Sequence, residues 1–229
     1  MAGLQVNIEE AGYEQSDVKI RNIRFEVEPG QLVGLIGPNG AGKSTTIKSI
    51  MGVMRHMKGS VQLDGRFAYV PEHPVWYETM TLWEHLELAA AAYQMPQEVW
   101  EPRVRILLEQ FQLTEVVHHY PSSFSKGMQQ KLMLLLAFLL EPALYIVDEP
   151  FIGLDPKATK RLLTMLDAAR EQGAGVLMST HVLDTAERIC DKFVLIHQGR
   201  IVAKGTFTEI QHQCGLPHGT LMDCFEVLT

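Results

Sequence analysis

What this sequence has little of narrows its function first. It has only three cysteines in 229 residues, Cys190, Cys214 and Cys224, and they match no metal-ligand spacing, so they read as reduced thiols. The longest uninterrupted apolar run, Leu132 to Leu140, is nine residues. A bilayer-spanning helix needs about 20. Basic charge is scarce as well: 20 Lys and Arg against 27 Asp and Glu give a net charge of −7, which argues against a nucleic-acid partner. The first residues, "MAGLQVNIEE", lack a charged-then-apolar leader pattern, so a cytoplasmic chain is expected. The pair His118-His119 has no partner ligands at metal spacing and reads as a solvated loop.

What is present points to an α/β domain. Apolar and polar residues mix in "LQVNIEEAGY" and "VKIRNIRFEV", as in strands, and "QLVGLIG" reads as a short buried strand. From about Thr81 to Leu140 the pattern turns helical, with Thr81 and Glu84 spaced as a capping box. Strands and helices then alternate from "ALYIVDEP" to "KFVLIHQGRIVAKG", which predicts a largely parallel sheet covered by helices on both faces. The last 25 residues read as a short helix, a loop and another helix.

The segment "GPNGAGKST", after a strand and at a helix start, fits the phosphate loop G-x-x-x-x-G-K-[ST]. The stretch comprises Gly37, Pro38, Asn39, Gly40, Ala41, Gly42, Lys43, Ser44 and Thr45. Its glycines let the backbone wrap an anion, and the helix start turns N–H groups toward it. Lys43 can reach the β- and γ-phosphates, and Ser44 can ligate Mg²⁺. The strand "LYIVDEP" then ends in two acids: Asp148 is placed to hold Mg²⁺ through water, and Glu149 to polarise an attacking water.

These motifs, with "FSKGMQQK" and "FIGLDP", resemble the nucleotide-binding subunit of ATP-binding-cassette (ABC) transporters over nearly the whole chain. The resemblance implies a P-loop NTPase of ABC type: a RecA-like core sheet, an N-terminal antiparallel β subdomain and an inserted helical subdomain. The chain is then one ABC ATPase domain, 1–229, with 1–72 and 141–229 forming the β subdomain and core, and 73–140 the helical subdomain. "FSKGM" falls on the family's signature, usually LSGGQ, which in one subunit closes over the γ-phosphate bound by another. Ser125 and Gly127 are retained there, while Lys126 and Met128 depart from the pattern. Ser125 can also simply cap a core helix.

By the same resemblance, Asp155 is expected at the subunit interface and His181 at the γ-phosphate. Tyr13 falls where an aromatic ring stacks on adenine, although it could equally be a strand residue. The family's loop glutamine, a Mg²⁺ contact, is Glu72 here. The implied ligands are ATP and Mg²⁺. The implied partners are a second copy, joined on ATP binding, and an integral membrane permease docking near exposed Trp76 and Tyr77, with the chain peripheral on the inner face of the membrane. The motif set is most similar to subunits of ABC-2-type exporters, in particular the ATPase subunit of Ecs-type transporters of Gram-positive bacteria. Two other readings share these motifs: a soluble ABC ATPase without transport, and an ATP-regulated adaptor. The absence of N-K-x-D disfavours a GTPase.

Overall fold

A computed structural model describes residues 3–229. Three strands, β1 (Leu4–Gly12), β2 (Val18–Val27) and β4 (His56–Leu63), form an antiparallel sheet in the order β2-β1-β4. Alternation sorts its faces: Leu4, Val6 and Ile8 turn inward and Gln5 and Asn7 outward. In β2 the buried Ile20 and Ile23 are an odd number of residues apart. The parity is reset at Asn22, whose φ of 54° is a left-handed conformation that asparagine tolerates better than most residues.

The second sheet has six strands in the order β5-β6-β7-β3-β8-β9. They are β3 (Leu32–Ile36), β5 (Phe67–Val70), β6 (Leu144–Asp148), β7 (Gly175–Thr180), β8 (Lys192–His197) and β9 (Arg200–Gly205). All neighbours are parallel except β8 and β9, which form a hairpin. Every residue of β3, β6 and β7 is buried, as expected of parallel strands covered on both faces.

Helices lie on both faces, as expected, but on one face a second sheet shares the covering. On one face, Tyr145, Val147, Val176 and Met178 meet helices α4 (Lys126–Leu139) and α5 (Pro156–Glu171). On the other, Leu144, Ile146, Leu177 and Val194 meet Ile47 and Ile50 of α1 (Lys43–Ile50) together with Leu4, Ile8 and Ile23 of the antiparallel sheet. That sheet has a single apolar face, and it buries it here.

Helices α2 (Leu82–Ala92) and α3 (Gln97–Phe111) pack on α4 to form a helical block, and Thr81 begins α2 with a complete capping box. Leu132, Leu134, Leu135 and Leu139, all fully buried, explain the apolar run in α4. At the other edge, α6 (Leu183–Ile189), α7 (Phe207–Cys214) and α8 (Leu221–Leu228) pack on Ile36, Phe193, Leu195 and Ala203. Among the described residues, no helix is long and apolar enough to cross a membrane.

Candidate active site

The loop between β3 and α1 is shaped by contacts that exclude side chains. Gly42 has φ 113°, and a Cβ there would lie 2.7 Å from Cγ2 of Ile20. Behind the loop, the N–H of Gly199, in the β8–β9 turn, donates to Ala41 O at 2.8 Å. Lys43 is almost fully buried. Its Nζ donates to Gly37 O at 2.6 Å and lies 3.7 Å from Glu149 Oε1. Gly42, the residue preceding α1, supplies no side-chain cap, and the first turn of that helix carries no acid.

The carboxylates come from the neighbouring strands. Asp148 ends β6, buried, and accepts hydrogen bonds from Ser179 Oγ of β7 and, at 3.3 Å, from the Tyr69 hydroxyl of β5. Burial first, and the Asp148 charge second, push the Tyr69 hydroxyl pKa up, so it remains a donor. Glu149 follows with φ 46°, a left-handed conformation that costs a non-glycine residue about 1–3 kcal/mol. Its N–H donates to Ser179 O at 3.1 Å, which holds the backbone in place. Its buried carboxylate lies 2.8 Å from Nδ1 of His181, just past the end of β7.

A cleft of about 510 Å³ joins these parts. Tyr13, Pro38, Asn39, Gly40, Gly42, Lys43, Ser44, Thr45, Glu72, Asp148 and Glu149 line it, so one space collects nearly all the residues expected at nucleotide and metal. Gly37 and Ala41 belong to the loop backbone behind it, and His181 reaches it through Glu149. Tyr13 lies beyond the end of β1, half-exposed, with the Lys48 ammonium 5.4 Å from its ring centroid. That position removes the strand alternative. Glu72 is half-buried, two residues beyond β5. Tyr69, Ser179 and Lys19, which also lines the cleft, escaped the sequence reading. "FAYVPE" and "MSTH" carried a signal for the first two, since both place a hydroxyl at the end of a core strand.

Ser125 and Gly127 do not line the cleft. Ser125 is the N-cap of α4, its Oγ accepting from Met128 N at 3.3 Å. A Cβ at Gly127 would lie 2.9 Å from Gly153 O, so the turn packs against the loop after Glu149. Asp155 caps α5, and the Ala158 N–H holds its carboxyl below the usual aspartate range.

The loop entering the helical block differs from its expectation. Tyr77 and Val75 are exposed, but Trp76 is half-buried, its apolar ring packed against the core that the helical block shares with the main sheet. Buried His85 ties the loop down: Nε2 accepts from Tyr77 N–H at 2.9 Å, and Nδ1 lies 2.7 Å from Thr81 O.

Comparison with known proteins gives the same picture as the geometry. The sequence profile of the family described as ABC transporter matches residues 20–152. The chain is 51% identical to the uncharacterized ABC transporter ATP-binding protein YthP of Bacillus subtilis, covering 97% of this chain and 94% of that one. It is 48% identical to the ABC-type transporter ATP-binding protein EcsA of the same organism, covering 100% and 97%. A solved structure described as the ATP binding subunit of an ABC transporter superposes with a TM-score of 0.94, at 46% identity and 98% coverage of both chains. ATP-binding subunits of this kind bind and hydrolyse ATP in partnership with membrane permease components. A phosphate loop, a strand-end acid pair and a matching fold over the whole chain place this protein in the ABC transporter family, as an ATP-binding subunit that hydrolyses ATP in transport.

Proposed function

We propose that two copies of this chain close head to tail on Mg-ATP, each supplying Ser125 and Gly127 to the γ-phosphate held in the other's cleft. The observation that carries this reading is the separation of the parts. The cleft gathers Lys43, Ser44, Asp148 and Glu149, while the Ser125 turn, which opens α4 with no acid in its first turn, lies outside it.

Lys43 and the loop amides from Gly37 to Thr45 hold the phosphates, and Tyr13 lies against the base. Ser44 and Asp148 hold Mg²⁺, with Glu72 within the same cleft. The donor set suits that ion, which favours hydroxyl, carboxylate and water oxygens. Mg²⁺ supplies charge neutralisation at the phosphates when bound. Ser179 and Tyr69 fix both oxygens of Asp148, so the carboxylate faces the cleft in one orientation. Glu149 orients the attacking water, and His181, hydrogen-bonded to it, contacts the γ-phosphoryl. The division into a β subdomain and core (1–72, 141–229) and a helical subdomain (73–140) follows from the same reading. The permease docks at the loop carrying Trp76 and Tyr77, chiefly through the exposed Tyr77, and this leaves the chain peripheral on the cytoplasmic face of the membrane.

The test is the mass in solution of Glu149→Gln protein with and without Mg-ATP, by light scattering during gel filtration. Removing the base slows hydrolysis by about 10²–10⁴-fold, so the closed state accumulates and the mass doubles with ATP. A monomer that binds ATP but never doubles in mass rejects the head-to-tail reading.

A further inference from the structure

The C-terminal helical hairpin contains a thiol pair that the nucleotide chemistry does not use. Cys214 is the last residue of α7 and Cys224 lies in the first turn of α8. Their Sγ atoms are 2.9 Å apart, within about 1 Å of bonding distance. The hairpin is built to hold them there. Gly215 caps α7 in the left-handed conformation, with φ 73°. Gln211 Nε2 donates across to Gly219 O at 2.8 Å, and Thr220 starts α8 with a capping box. Cys190, by contrast, faces β3, where its Sγ would lie 2.9 Å from a Cβ placed on Gly34.

We propose that Cys214 and Cys224 form a reversible dithiol–disulfide site that staples α7 to α8 when the protein meets a peroxide. The two thiols are unequal. Cys224 is fully buried, and burial together with the neighbouring Cys214 thiol pushes its pKa up to about 12. Cys214 is only partly buried and meets the oxidant first. Cys214 gives up its thiol proton as its sulfur attacks one peroxide oxygen: an S–O bond forms, the O–O bond breaks, and the leaving hydroxide takes up that proton as water. The Cys224 sulfur then attacks the sulfenic sulfur of Cys214, giving up its proton. The S–S bond forms, the S–O bond breaks, and the second oxygen leaves as water. In sum, two thiols and one hydrogen peroxide yield one disulfide and two waters.

The staple stiffens a unit that leans on the catalytic edge. The N–H of Leu221, at the start of α8, donates to Glu187 Oε2 of α6 at 2.8 Å, and α6 begins two residues after His181. The proposal does not depend on the head-to-tail dimer, since both thiols belong to one chain.

The full-length protein is treated with hydrogen peroxide, unfolded, alkylated and mapped by peptide mass spectrometry. The expected result is one intrachain cross-link joining the Cys214 and Cys224 peptides, two hydrogens lighter than the reduced pair and reversed by dithiothreitol. Cys190 is recovered alkylated, and the cross-link persists in Cys190→Ser. Recovery of Cys214 as sulfinic acid beside free Cys224 overturns the proposal. So does a Cys214 disulfide between chains, or three unmodified thiols at peroxide levels that oxidise a free cysteine peptide. Cys214→Ser and Cys224→Ser should each abolish the cross-link. If either fails to fold, the wild-type map alone decides.

Discussion

The starts of α1 and α7 are built on opposite plans. At α7, Thr206 Oγ1 accepts from Glu209 N at 3.4 Å and Glu209 Oε2 accepts from Thr206 N at 2.7 Å, so the helix satisfies its own end and places an acid at the positive pole of its dipole. The starts of α2 and α8 follow the same plan with Glu84 and Asp223. At α1, Gly42 contributes no side chain, the first turn has no acid, and its first residue is Lys43. A lysine there opposes the dipole; Gly37 O and Glu149 engage its ammonium, and an anion at the helix start would join it to the free N–H groups. The start of α4 lies between the two plans. Ser125 caps it, yet the first turn again has no acid and begins with Lys126. Helix ends closed by the chain itself thus differ from ends left for a ligand, and α4 shares features of both.

Substitutions can break this division. The largest effect is expected at α1. Lys43→Ala removes the cation aimed at the phosphates and should lower ATPase activity by about 10³-fold, the upper end for loss of one donor to a charged transition state. An unchanged rate would mean that the open end of α1 has another purpose. Next is Ser125→Ala, which loses a cap and, on the proposed reading, a γ-phosphate contact. Activity should fall by about 10²-fold, while thermal unfolding shows only the cap's share, about 1 kcal/mol. If activity falls no further than that small loss of stability explains, α4 belongs wholly with the closed ends. Thr206→Ala is the control for closed ends. It should cost about 1 kcal/mol, lowering Tm by about 2–4 °C in a chain of this size, with ATPase activity unchanged at temperatures below unfolding.

Local chemistry was the most legible part of the sequence. The phosphate-loop residues lie within one short stretch, and Asp148 with Glu149 within another, so spacing alone reveals them. The Thr81 capping box was readable for the same reason. Tyr69 and Ser179 were not, because they reach Asp148 across 79 and 31 residues of sequence, through the alignment of β5, β6 and β7. The mixed apolar and polar positions of β1 and β2 mark strands but do not reveal that their sheet shares one face of the core sheet with α1. Trp76 illustrates the same limit. An aromatic in a loop reads as exposed until the core it packs against is seen.

The contrast between closed and open groups extends to two carboxylates, and there the expected effect is smallest. Glu149 is buried in the cleft facing Lys43 and His181, groups assigned to the nucleotide. Glu10, in the antiparallel sheet, is satisfied by its neighbours: Arg21 of β2 at 2.8 Å, and His56 and Lys58 of β4 at 3.1 and 2.8 Å. The hydrogen bond from Lys58, then that from His56, hold its pKa at about 2 against the ordinary 4.5. Because the folded value lies below the unfolded one, the protonated unfolded chain is favoured as pH falls. Glu10 therefore contributes stability above about pH 4.5 and loses it progressively toward about pH 2. The Tm difference between wild type and Glu10→Gln should be widest above pH 5, narrow on acidification, and shrink with added salt because the cluster is screened by solvent. A difference independent of pH and salt would mean that the Glu10 side chain acts through packing, and that its cations are not what closes this site.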